Sequence, residues 1–251
     1  MAKLDKSLYS KSQWKKIRDE RRAAKQAGRQ KSAKTNEAYD PVKQLTTKRP
    51  KIHPALKMAF VLGNGTSRNT IDLEDLQHVG KIYACNAVYR TFRPDYLIAV
   101  DTKMIREIST NGYQHKHPVW TNPNKYSRSV KNINLFHPNL GWSSGPTALN
   151  FASMQKPQQI YILGFDYQGI GVRNELVNNM YAGTENYKNI NDRATYFGNW
   201  ERQTSSIIQK NPKIRYIRVV PEEGFFTPPS LEGHENLRQI TIEKFKKTFQ
   251  I

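Results

Sequence analysis

The chain has 251 residues and a mass of 29.1 kDa, enough for one large domain or two small ones with a sizeable core. Forty Lys and Arg against twenty-one Asp and Glu leave a net +19, with 37% hydrophobic residues and a mean hydropathy of −0.76. Collagen, knottin and membrane-span classes are excluded, and a lone cysteine, Cys85, excludes an intramolecular disulfide or a thiolate metal cluster.

Residues 1–50 carry 15 Lys and Arg but only 5 Asp and Glu, so a fifth of the length holds +10 and the other 201 residues hold +9. The stretch from Ser12 to about Lys34 reads as a strongly basic helix whose apolar grip is Trp14 and Ile17 alone, too small a stripe to hold it on a core. A cationic arm of this kind suits a polyanion, whether nucleic acid, an acidic assembly surface or an anionic membrane surface, with Trp14 available for stacking. Pro41, Pro50 and Pro54 mark a linker, and the division expected is an arm over 1–50 and a domain over 51–251. The N-terminal charges are followed by no apolar run, and no stretch reaches the roughly 18 apolar residues a bilayer span needs, so the expectation is a soluble cytoplasmic protein without a transmembrane segment.

From Lys57 short apolar runs alternate with polar, glycine-punctuated stretches. Met58–Leu62 reads as a buried strand entering a Gly-rich turn, Ser67–Gly80 as a helical or irregular segment, Lys81–Asn86 as a second strand and Asp95–Asp101 as a third. The segment TKMIREI after Asp101 suits a helix, with HPVWTN and NINLF as further strands and Ser144–Met154 as a helix that tolerates Pro146 near its first turn. Gln159–Gly164 is the most apolar strand, Asn199–Gln209 a helix and Lys213–Val220 a last strand. Strands alternating with helices predict an α/β, Rossmann-like, mostly parallel sheet flanked by helices.

In such sheets ligands sit beyond the carboxyl ends of the strands. The residues placed there are Gly63, Asn64, Gly65, Thr66 and Ser67, then Cys85 and Asn86, then Asp101, then Gly164, Phe165, Asp166 and Tyr167. Glycines admit a close backbone approach, Asn and Ser offer donors to phosphate or sugar, and a carboxylate takes hydroxyls or an exocyclic amine. That is the chemistry of a nucleotide site, although GNG is neither a P-loop nor a GxGxxG fingerprint. Asp101 is equally readable as a helix cap, Cys85 as a core residue, and the FFTPPS segment (225–230) as a stiff flap or a surface loop. His115 and His117 alternate as metal ligands sometimes do but lie in a polar loop, and the scattered carboxylates form no metal cluster at ligand spacing.

The order GNGTS, ACN with Tyr89 three residues after Asn86, WSSGPTALNFA and IYILGFDY resembles the bacterial lipooligosaccharide sialyltransferases and the related motility accessory factors and 6-hydroxymethylpterin diphosphokinase-like proteins. The resemblance covers about residues 57–220. It implies a glycosyltransferase-like protein with a nucleotide or nucleotide-sugar donor, CMP-type in the sialyltransferases, lined by Gly63, Asn64, Gly65, Ser67, Asn86, Ser143, Ser144, Gly145, Asp166 and Tyr167. Tyr167, Tyr181 and Tyr187 are candidates for the family's phosphate-holding tyrosines. The family's general-base histidine should fall near residues 191–203, where none occurs; Asn199 stands near the place, and an amide cannot take a proton from a hydroxyl at neutral pH. His137 is then the best-placed catalytic histidine, and Asp166, Asp192 and Glu185 are carboxylates open to a base or metal role. Two further readings stay open: a catalytically inactive member of the fold acting through its arm, and a pterin-type diphosphotransferase, which would need Mg²⁺.

Overall fold

The computed structural model describes residues 58–251; the arm, the linker and the basic helix expected near Ser12 lie outside the described residues. Eight strands, β1 (Met58–Leu62), β2 (Lys81–Cys85), β3 (Tyr96–Ile98), β4 (Val119–Thr121), β5 (Asn134–Leu135), β6 (Gln159–Leu163), β7 (Arg215–Val220) and β8 (Leu237–Thr241), form one sheet in the order β5-β4-β3-β2-β1-β6-β7-β8. Every neighbouring pair is parallel, so the fold is a Rossmann-like α/β sheet without an antiparallel member. Strands β2 to β5 are added outward on one side of β1, and β6 to β8 on the other. The strand order therefore reverses between β1 and β6, and a crevice opens there at the carboxyl edge.

Four helices cover the faces: α1 (Thr102–Asn111), α2 (Ser144–Met154), α3 (Gly198–Lys210) and α4 (Ile242–Phe249). The period-2 pleat sorts β1 cleanly. Phe60 and Leu62 join Met104, Ile105 and Ile108 of α1 and Phe245 of α4, whereas Ala59 and Val61 join Ala148, Leu149 and Ala152 of α2 and Ile207 and Ile208 of α3. A strand buried on both faces reads as the continuous apolar run seen in MAFVL and QIYIL. Helix α1 stops where Gly112 takes a left-handed φ of 71° and its N–H reaches back to the carbonyls of Ile108 and Ser109.

Three elements differ from the sequence reading. The third strand is Tyr96–Ile98 rather than 95–101, because the Val100 N–H leaves the ladder for Ser144 Oγ at 3.0 Å. The segment between β1 and β2, by contrast, agrees with the helical or irregular reading, as two short 3₁₀ turns, Thr66–Arg68 and Glu74–His78, joined by irregular chain. Strand β8 and helix α4 were not legible: β8 is a partly exposed edge strand without clean alternation, and α4 is anchored chiefly by Phe245, with Thr241 capping it through the Lys244 N–H at 3.2 Å.

The two central strands meet closely at their carboxyl ends. The Gly63 N–H donates to the Leu163 carbonyl at 2.8 Å and the Gly65 N–H to the Gly164 carbonyl at 2.9 Å, while Gly164 itself adopts φ +69°. A Cβ on Gly63 would stand 2.4 Å from the Gly164 carbonyl oxygen, a backbone atom that cannot move aside cheaply. Gly63→Ala should therefore lower stability by about 1–3 kcal/mol, read as a lower urea midpoint with an unchanged m-value.

Candidate functional site

A cavity of about 250 Å³ lies at this reversal of strand order. Its floor is Gly63, Asn64 and Gly65 after β1 and Gly164, Phe165 and Asp166 after β6; Cys85 and Asn86 close it beyond β2, and Asp101 beyond β3. Ser143, Ser144 and Gly145 at the start of α2 form one wall, Phe197 and Trp200 another, and Asn178 and Asn179 complete the rim. The tertiary structure thus gathers Gly63, Asn64, Gly65, Asn86, Ser143, Ser144, Gly145, Asp166 and Tyr167 around one space. Ser67 and His137 stand outside its lining.

Ser67 serves Asp166 instead. Its hydroxyl and its N–H (3.1 Å) both donate to the Asp166 carboxylate, and Asn178 Nδ2 donates to the same group at 3.0 Å. Asn178 also accepts from the Thr66 N–H at 2.9 Å and donates to the Gln168 carbonyl at 3.0 Å. Asp166 is therefore a strap between the loops after β1 and β6, with most of its acceptor capacity used. Gly65 admits that strap, since a Cβ there would lie 2.5 Å from the carboxylate.

Asn64 is buried, its Nδ2 donating to Tyr187 Oη at 3.1 Å while the Cys85 thiol points at its Oδ1. Burial pushes the Cys85 thiol up to about 12, so it stays protonated and inert, a core residue as the sequence suggested. Asn86 differs from its neighbours. It holds φ +54°, which costs a side-chain-bearing residue strain, and its Oδ1 is buried without a hydrogen-bond partner.

The three tyrosines do not present hydroxyls to the cavity. Tyr167 bonds Thr204 Oγ1 at 2.8 Å, Tyr181 bonds Thr91 Oγ1 at 3.0 Å, and Tyr187 accepts from Asn64 and from the Ala87 N–H at 3.3 Å. Desolvation raises the Tyr167 and Tyr187 hydroxyls well above the usual tyrosine range. Tyr181 and Tyr187 support the lining from outside, and Tyr167, which does line the cavity, keeps its hydroxyl on Thr204. His137 is exposed beyond β5, Asn199 is exposed and accepts from Arg202, and Asp192 and Glu185 lie on the surface away from the cavity. His115 bonds Asn132 at 2.9 Å and His117 packs on Tyr113.

Among the described residues no Lys, Arg or His lines the cavity. Positive charge stands one layer back, at two arginines that sequence reasoning passed over. Arg68 Nε donates to the Gly63 carbonyl at 2.6 Å. Arg218 is buried in β7 and reaches the carbonyls of Phe165 (3.0 Å), Asp166 (3.1 Å) and Phe226 (2.8 Å), together with Gln239 Oε1 (2.8 Å). Its guanidinium lies over the Tyr167 and Phe225 rings, so the FFTPPS segment is fastened to the core through this cation. The available signal was a charge inside an otherwise apolar strand, RYIRVV. Phe197 and Trp200 were also missed, because nothing local shows that the start of α3 turns two rings toward the cavity.

The segment carrying Tyr181 and Tyr187 is held by a second network. Arg90 grips Glu107 of α1 through Nε (2.7 Å) and Nη2 (2.6 Å), and Tyr89 Oη and Asn186 Nδ2 donate to the same carboxylate at 2.6 Å each. Burial pushes the Glu107 carboxyl up, and the hydrogen bonds from Arg90, Tyr89 and Asn186 outweigh it, leaving its pKa lowered.

The carboxylates present do not make a protein-held Mg²⁺ site. The cavity offers only Asp101 and the already strapped Asp166, and among the described residues no three His, Cys, Asp or Glu gather where a metal ion could be held. Fold and site together define a doubly wound α/β protein with a small cavity at its topological switch point. Compared with protein-family models, curated proteins and solved structures, the chain matches none.

Because folding lowers the Glu107 pKa, its contribution to stability is complete above the ordinary glutamate range and is lost as pH falls through the folded-state value. Glu107→Gln should cost about 2 kcal/mol at pH 7. The gap between wild type and variant should close on acidification, as urea denaturation at a series of pH values will show.

Proposed function

We propose that this cavity binds a nucleotide or nucleotide-activated sugar and that the protein is glycosyltransferase-like, transferring from such a donor to an acceptor hydroxyl. The observation that carries this reading is Asn86. Asn86 lines the cavity at the switch point on a backbone held at positive φ, and its amide oxygen is buried without a partner among the described residues, a cost that a small shift to meet a ligand donor group would offset.

The rest of the lining supports the same reading. Helix α2 opens at the cavity without a side-chain cap from Ser143, so the first-turn N–H groups of Ser144 and Gly145, which have no acceptor within the helix, suit an anion. Phe197 and Trp200 offer apolar surface for a base, and Asn64 and Asn179 offer polar contacts. One helix N-terminus, no basic side chain and about 250 Å³ fit a single phosphate better than a diphosphate. That favours a CMP-type donor, in line with the motif order, over the pterin-type diphosphotransferase with its Mg²⁺.

The arm has its own proposed partner. Fifteen basic residues within 1–50 fit a polyanion, either nucleic acid or an acidic assembly surface. If the cavity is a vestige, this is where an inactive member of the fold would act.

Asn86→Gly keeps the left-handed backbone and removes the amide. It should weaken CMP binding about tenfold to a hundredfold, the worth of one or two buried hydrogen bonds, without loss of melting temperature. Calorimetry with CMP, UDP, GDP and ADP reads this directly, and unchanged affinity would move the ligand elsewhere. Removing residues 1–50 should abolish salt-sensitive binding to single-stranded nucleic acid while nucleotide affinity persists; retained binding would place the polyanion site on the remaining chain.

A further inference from the structure

A transfer to an acceptor hydroxyl needs a group to take its proton, and the segment where the resemblance places a histidine offers Asn199, exposed and bonded to Arg202. Among the described residues the titratable side chains lining the cavity are four: Cys85, Asp101, Asp166 and Tyr167. Three are spoken for. Cys85 is a buried thiol against Asn64, Tyr167 gives its hydroxyl to Thr204, and Asp166 receives three hydrogen bonds from Ser67 and Asn178.

Asp101 stands apart from them. It occupies the N-cap position of α1 with extended backbone (φ −79°, ψ 129°), where an aspartate ordinarily accepts from the helix N–H groups, yet its side chain makes no capping hydrogen bond. It lines the cavity, remains solvent-accessible and has no ion pair or hydrogen bond through its carboxylate among the described residues. The backbone beside it is fixed, with the Val100 N–H held by Ser144 Oγ at 3.0 Å and the Ile105 N–H by the Asp101 carbonyl at 3.0 Å.

Resting on the donor-binding reading above, we propose that Asp101 is the proton acceptor of this site. The acceptor oxygen attacks the anomeric carbon of the donor sugar and forms the new C–O bond. The bond from that carbon to the phosphate oxygen breaks, the nucleotide leaves as its phosphate anion, and the acceptor proton ends on the Asp101 carboxylate. Desolvation raises the Asp101 carboxyl above the ordinary aspartate value, toward what a base needs. The other titratable groups of the described lining are Cys85 at the end of β2 and Asp166 and Tyr167 after β6, with Lys103 two residues along its own helix, so no cationic side chain of that lining pairs with it.

Glu201 of α3 is the rival carboxylate. Desolvation raises it too, but it lies outside the cavity lining. The two are separated by measuring nucleotide release from CMP-N-acetylneuraminate and from UDP-N-acetylglucosamine, with water or added lactose as acceptor, alongside calorimetry with CMP and UDP. The full chain is used as wild type, D101N, D101E and E201Q.

Expected are wild-type turnover with one of the two donors, D101N binding the nucleotide within threefold of wild type while kcat falls about a hundredfold or more, partial recovery in D101E, and E201Q close to wild type. The wild-type kcat should fall on acidification with a one-proton limb that D101E displaces and E201Q leaves in place. D101N with kcat within threefold of wild type, D101N losing nucleotide affinity in parallel with turnover, or E201Q losing the turnover instead would each overturn the assignment. Wild type that binds neither nucleotide overturns the donor-site reading itself and the assignment with it. Wild type that binds a nucleotide and turns over neither donor overturns the base role alone.

Discussion

The contact between the carboxyl ends of β1 and β6 is the constraint on which the site depends. Gly63, Gly65 and Gly164 let two backbones pass within hydrogen-bond distance of each other, and side chains at these positions would drive them apart. The Asp166 carboxylate then ties the loop after β1 to the loop after β6, and Asn178 ties both to the segment that follows. Because strand order reverses at this junction, the close approach shapes the floor of the cavity as well as the centre of the sheet.

Charge is arranged in layers around that floor. The lining itself carries no basic side chain, while Arg68 and Arg218 bond to the carbonyls of the glycine-bearing loops from behind. Burial lowers the Arg218 pKa from the ordinary arginine value, and its carbonyl and Gln239 partners take the place of water around the guanidinium. Such fixed donors orient the loop carbonyls and add positive potential without placing a mobile side chain in the cavity. What lines the cavity is then mostly neutral: amides, hydroxyls, helix N–H groups and the aromatic side chains of Phe165, Tyr167, Phe197 and Trp200, with Asp101 as the carboxylate not engaged among the described residues.

The tyrosines show how support can be mistaken for contact. By resemblance they were candidates for holding phosphate after the IYILGFDY strand, but each hydroxyl is spent on Thr204, Thr91 or Asn64. Tyr187 thereby sets the orientation of Asn64, and the Arg90–Glu107 pair holds the segment that delivers Tyr187. A mutation in that outer network would reach the cavity through Asn64. Ser67 is a parallel case, a residue of the glycine loop that works on Asp166 instead of on a ligand.

The sequence alone determined the α/β class, the positions of the four central strands and of the helix 144–154, and which loops carry the site. These are local or periodic properties: apolar runs of strand length, glycines after them, polar residues next. It could not reveal β8, whose pattern is that of an edge strand with little to bury, nor the inward ring faces of Phe197 and Trp200. The partners of each polar group were equally hidden, because the Asp166–Ser67 bond spans 99 residues and the Asn64–Tyr187 bond 123. Only the tertiary structure decides which side chains of a shared loop are consumed by one another and which are left for a ligand, since that depends on distances between segments far apart in the chain. On that ground the hydroxyls of Ser67, Tyr167 and Tyr187 became supports, and Asn86 and Asp101 were left in the lining with side-chain oxygens unpartnered among the described residues.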